Sequence, residues 1–195
     1  MKLERKFDEA ILVSTGPSTE IDLRRADGAT KRYLMDYWTF GNNPCVIVSG
    51  AYNKGRYDGS QSEAIHNRLL EGDVNPSHIF HEDRSDSPKG FLAKAVYVTQ
   101  MLEQLSDPNS SINLSLILDK VQARRMTMLF KRAWKSVSIP RSYSINNFSD
   151  GQIPSYSGLK GLWKPQLTYL VHRFSRLPKP LPQEEIRRMT TPFVK

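Results

Sequence analysis

The residues able to do chemistry in this 195-residue chain stand just after short apolar runs. Thr15-Gly16-Pro17 follows Ala10–Ser14, and Ser49-Gly50 ends Cys45–Ser49. Glu82-Asp83-Arg84-Ser85 continues Ile79-Phe80-His81, and Asp119, Gln122, Arg124 and Arg125 follow Leu114–Leu118. Hydroxyls, carboxylates and guanidinium groups drawn into one crevice suit an anionic guest. Thr15, Gly16, Ser49 and Gly50 would let backbone N–H groups approach it. Glu82 and Ser85 would hold its polar part, and Gln122 and Arg125 its charge. Arg125 carries the most weight, because a cation in the first turn of a helix opposes the helix dipole unless it has a partner. The competing reading is a surface arginine on a basic helix. Glu82 and Asp119 are the acid–base candidates. Glu63 also falls near this rim, although Ser60-Gln61-Ser62-Glu63 has capping-box spacing, which would account for it locally.

Other chemistries find little support. There is no Walker A loop and no GxGxxG fingerprint. Ser14 and Ser49 do not sit in a GxSxG elbow. His66, His78, His81 and His172 lack metal-ligand spacing, so no metal is expected. Cys45 is the only cysteine, which excludes an internal disulfide and points to a small core residue in a protein of a reducing, cytoplasmic compartment.

What must position these residues is an alternation of strands and helices. The unbroken β-branched run at 10–14 and the apolar runs at 45–49 and 114–118 predict buried strands, Ile79-Phe80-His81-Glu82 suggests a short third, and Val137-Ser138-Ile139 a weaker fifth. Between them, helical spacing predicts helices from about Thr30 to Phe40, from Ser60 to Glu71, through Phe91–Leu105 and from Asp119 past Trp134. The first places Tyr33, Leu34, Tyr37 and Trp38 on one face and stops at Gly41. Ser87-Pro88 would cap the third, and Asp119 with Gln122 at its third position would cap the fourth. The fold expected is α/β, a Rossmann-like three-layer sandwich on a mostly parallel sheet of about five strands. It would occupy residues 1–177, ending in a helix near 159–174. Residues 178–195, rich in proline, read as an irregular basic tail with one short turn at Glu184–Met189.

Composition agrees with a single domain: 38% hydrophobic and 25% charged residues, and no apolar run long enough to span a membrane. Net charge is +8 but unevenly placed, with residues 1–119 at −4 and residues 120–195 at +12. A basic half of that kind fits phosphate groups, nucleic acid or another polyanion, or simply a solvated face.

Taken in order, these motifs resemble a YdcF/SanA/ElyC-type domain over roughly residues 8–140. The features are Ala10–Val13 running into Gly16, Val46–Gly50, Ser62-Glu63-Ala64, Glu82–Ser85 and the fourth strand leading to Arg125-Met126. The resemblance implies a Rossmann-like domain and S-adenosylmethionine among possible ligands. It also implies links to envelope maintenance in members with an N-terminal anchor, which this sequence lacks. The chain departs from the family pattern at three places. Ala51 follows Gly50 where the family has a second glycine. Pro88-Lys89-Gly90-Phe91 replaces its Thr-x-Glu-Asn. Gln122 stands where it commonly has histidine, and a glutamine can hydrogen-bond but cannot shuttle a proton. The expected function is binding of a nucleotide-type or other anionic small molecule at the carboxyl edge of the sheet, with transfer or hydrolysis as the reaction class. The alternative is non-enzymatic polyanion or nucleic-acid binding through the basic half.

Overall fold

The computed structural model describes residues 6–16, 18–50, 61–85, 90–137, 142–149 and 176–192. Five parallel strands form one sheet: β1 (Glu9–Ser14), β2 (Pro44–Ser49), β3 (Ile79–Glu82), β4 (Ile112–Leu118) and β5 (Tyr143–Ser149). Their order is β3-β2-β1-β4-β5. The chain builds outward from β1 to β3, returns to the centre, and then builds the other way. Helices α1 (Thr19–Leu34) and α2 (Gln61–Glu71) make the first two crossovers, and α3 (Gly90–Leu105) and α4 (Lys120–Val137) the last two. The fold is thus the α/β three-layer sandwich expected, with a topological switch point between β1 and β4.

Strand alternation divides the core. Ile11 and Val13 pack with Ala26, Ala29 and Tyr33 of α1 and with Ile65 and Leu69 of α2. Ala10 and Leu12 face the other way, onto α3 and α4, where Leu92, Met101, Met126 and Phe130 are buried. The central strands are covered on both faces, so they read as continuous apolar runs. Among the described residues, no helix is long and apolar enough to cross a membrane.

The helix before β2 begins eleven residues earlier than Thr30. Ser18 caps it, accepting from the Ile21 N–H; acidic Glu20 and Asp22 occupy its first turn and basic Lys31 and Arg32 its last. Gly28 lies mid-helix, where glycine is unfavourable. An added Cβ there would meet Ile117 at 3.4 Å, an ordinary packing distance, so the helix lies on β4 and has room for an alanine. Past Leu34 the helix widens into a π-helical turn, Met35–Thr39. That extra residue per turn rotates the aromatic face out of register: Tyr33 is buried, but Tyr37, Trp38 and Phe40 are exposed. Gly41, at φ +66°, ends the element as expected.

The fifth strand is also displaced. Val137 is the last residue of α4, and the strand begins at Tyr143. An edge strand half open to solvent alternates, as half-buried Tyr143 and Ile145 do with exposed Ser144 and Asn146, and so lacks the apolar run that marks its neighbours. Near the end of the chain, α5 (Gln183–Met189) packs on α3, with Ile186 and Met189 in the core. Gln100 ties the preceding segment through two bonds with the Leu181 backbone, at 2.9 and 3.1 Å. Arg188 forks onto Asp83 at 2.7 and 3.0 Å, and Arg84 meets Glu185 at 2.9 Å, which anchors the turn just after Glu82. The expected terminal helix at 159–174, the Ser60 cap and the Ser87-Pro88 cap lie outside the described residues.

Candidate functional site at the carboxyl ends of the strands

Across β1, β2 and β3 the register pairs Ser14 with Ser49 and Ser49 with Glu82. Two residues earlier, the same row reads Leu12, Ile47 and Phe80. At its last position, therefore, the face toward α3 changes from apolar to polar on three adjacent strands. Lys94 of α3 is inserted over this row. Its ammonium donates to Ser14 Oγ and, at 3.3 Å, to the Ser49 carbonyl. Ser49 Oγ donates to Glu82 at 2.5 Å, and Glu82 also accepts the Arg84 N–H at 2.8 Å. All four side chains are buried. Burial pushes the Lys94 ammonium down to about pKa 8; Glu82 opposes that shift and Arg25 adds to it.

A second group of charges stands at the switch point. Arg25, 1% exposed, donates to the Ser14 carbonyl at 2.8 Å, meets Asp119 at 3.4 Å and reaches Gln122 Oε1 at 3.3 Å. Asp119 accepts the Gln122 N–H at 2.8 Å, so it caps α4 as its sequence position predicts. Asp22, one turn before Arg25, accepts the Gly16 N–H at 2.5 Å, while its second oxygen has no hydrogen-bond partner. Burial raises its carboxyl to about pKa 6, against the opposing pull of the Gly16 bond and of Arg25. Gln61, opening α2, donates to the Gly16 carbonyl at 3.2 Å. Arg125, buried in α4, places its guanidinium over the Phe91 ring at 5.0 Å, and Lys94 lies 5.8 Å from the same ring. Arg125 and Glu82 thus meet the same part of α3, Arg125 through Phe91 and Glu82 through Lys94.

Thr15, Gly16, Ser49, Gly50, Glu82, Ser85, Asp119, Gln122 and Arg125 all lie at or just past the carboxyl ends of strands. Glu63 differs, being exposed on α2. Gly50 has a packing reason of its own. A Cβ there would fall 2.0 Å from Thr15 Cγ2, so the two strand ends can pass only if that residue is glycine. Asp119 is engaged as cap and as the Arg25 counter-charge, which leaves Glu82 and Lys94 as the groups placed to move protons. His81 pairs with His66 at 2.9 Å, whereas Glu82, the next residue along β3, points to the opposite face. His78 is bound to Tyr33 OH at 2.9 Å. Cys45 is buried in β2, as expected of a core residue.

Ser14, Asp22, Arg25, Gln61 and Lys94 were not in the expected set. A signal for two of them exists. Lys94 falls on the apolar stripe between Phe91 and Val98, and Arg25 shares a helical face with Ala29 and Tyr33. A cation on a stripe that must be buried needs partners, and these find them at strand ends.

Buried charges oppose folding unless they are paired, and even paired ones rarely repay their desolvation. Here three cations and three carboxylates converge where this architecture binds ligands. A buried ammonium that donates to a serine hydroxyl at a strand end is a group that an anionic guest can pair with. Comparison with models of known protein families, with curated proteins and with solved structures gave no match.

Proposed function

We propose that the chain binds an anionic, nucleotide-type small molecule at the carboxyl ends of β1, β2 and β4. Arg125 and Lys94 would hold the negative group, and Glu82 and Ser49 would orient Lys94. The observation that carries this reading is Lys94 itself, a buried ammonium set on the polar row Ser14–Ser49–Glu82 beside the switch point. Arg25 contributes through the field it adds and through its grip on the Ser14 carbonyl. The reaction class that suits these groups is transfer to, or hydrolysis of, the anionic substrate, with Lys94 as the charged anchor of the negative group and Glu82 as the acid–base candidate. Membership of the YdcF-type domains is supported by the order of the motifs, and S-adenosylmethionine is the first ligand to try on that account. The single buried thiol supports a reducing, cytoplasmic setting.

Calorimetric titration with S-adenosylmethionine, adenosine monophosphate and sulfate tests the proposal. Binding of at least one at micromolar to millimolar concentration, weakened tenfold or more in Lys94→Met and Arg125→Gln, is the expected result. Absence of heat with all three, in protein shown to be folded, overturns it.

A further inference from the structure

A second positively charged feature lies away from the strand ends. Helix α4 carries six Lys and Arg residues and no Asp or Glu. Its apolar stripe, from Met126 through Leu129 and Phe130 to Trp134, is buried. The opposite side presents Arg124, Lys131 and Lys135 to solvent, and with Thr127, Met128 and Arg132 these line one shallow groove. Arg124, Lys131 and Lys135 make no salt bridge with any described residue. Several exposed cations elsewhere are matched, Arg68 by Asp27 and Glu71, Arg24 by Glu20 and Arg188 by Asp83, while Lys31, Lys179 and Arg187 stand singly, each on a different element or segment. What sets α4 apart is that its exposed cations are gathered on one side of a single helix that carries no acid.

We propose that this side of α4 binds the phosphodiester backbone of nucleic acid, independently of the small-molecule site. Eleven residues separate Arg124 from Lys135, a rise of about 16 Å at 1.5 Å per residue. That length runs beside about five phosphates of one strand at 3.4 Å per charge. Arg124, Lys131 and Lys135 can neutralise three of them. The neighbouring groups are those that donate to phosphate: the Thr127 hydroxyl, and Asn147 of β5, which lies 3.3 Å from it. Among the described residues the groove lacks the aromatic or leucine face with which an interfacial helix enters a lipid surface; its apolar member there is the half-buried Met128. A backbone contact of this kind predicts little base preference.

The test is fluorescence anisotropy with a labelled 20-base-pair duplex, a 20-nucleotide single strand, and vesicles of phosphatidylserine mixed with phosphatidylcholine, between 50 and 200 mM KCl. For the three phosphates that Arg124, Lys131 and Lys135 would neutralise, the logarithm of the duplex association constant should fall with the logarithm of salt at a slope of about −2.7, a loss of about 40-fold over that range. Each of Arg124→Gln, Lys131→Gln and Lys135→Gln should make the slope shallower by about 0.9. These side chains are exposed, so circular dichroism should show the variants folded, and sulfate binding at the strand ends should be unchanged. The proposal is overturned by a slope shallower than −1, by a triple variant that keeps the full slope, or by binding to the vesicles with none to either nucleic acid.

Discussion

Binding at the strand ends should be coupled to the protonation of Lys94, and the size of the coupling can be worked out. In the free protein its pKa is about 8, because burial disfavours the charge. An anion seated against the ammonium returns the charge to favour and moves the pKa back toward its ordinary 10.5. Sulfate is the probe of choice, since it does not titrate between pH 6 and 10. At pH 7 about nine-tenths of the molecules are already protonated at Lys94, and at pH 9 only about one-tenth are. Affinity should therefore fall about tenfold between these two pH values, and binding at pH 8 should take up about half a proton per sulfate. Titration calorimetry in buffers of different ionisation enthalpy measures that uptake directly. Lys94→Met should weaken binding by about 1.5–3 kcal/mol, the worth of a charge-assisted hydrogen bond, and abolish both the uptake and the pH slope. An affinity that stays flat from pH 7 to 9, or a slope that survives in the variant, would show that Lys94 is not in the site.

Three further outcomes concern stability. A depressed lysine pKa contributes stability above 10.5 that is lost as pH falls through 8, so unfolding by urea should show the wild type gaining about 3 kcal/mol between those limits, with the gain absent in Lys94→Met. Asp22 has the opposite sense. Its raised pKa contributes stability below 3.8 that is lost as pH rises through 6, about 2–3 kcal/mol in all, and Asp22→Asn should flatten that part of the pH profile. At the other end of the sheet, Arg32 forks onto Glu9 at 2.9 and 3.0 Å and meets Asp36 at 2.8 Å; burial and the nearby Glu9 already raise the Asp36 carboxyl to about pKa 6. Arg32→Met should cost about 3 kcal/mol, read as a lowered denaturant midpoint, because it leaves two buried carboxylates facing each other.

Much of the fold was legible because its signals are local. An apolar run of five residues between Gly or Pro turns can be buried as a strand whatever its neighbours are, and β1 to β4 follow such runs closely. The Asp119 cap was legible for the same reason: its carboxylate reaches an N–H three residues on. Where the first helix began was not legible. Gly28 weakened the pattern, although the helix runs through it unbroken and packs there on Ile117 of β4. Strand β5 escaped notice because half of its side chains face solvent. The helix at Gln183–Met189 read as a mere turn, since seven residues form a stable helix only when something buries Ile186 and Met189.

For the candidate site, the amino-acid order determined which groups stand at strand ends: Ser14, Ser49, Glu82 and Asp119 are there by alternation and length alone. It could not determine that Ser14, Ser49 and Glu82 form one row, because that depends on the order β3-β2-β1 and on register. Nor could it bring Lys94 to them from 80 residues beyond Ser14. Helical periodicity fixes the face on which a lysine lies, but what that face meets depends on where the return crossover sets α3 on the sheet. Tertiary structure decided that, and with it the difference between a lysine displaced on an apolar stripe and a buried ammonium ready for an anion.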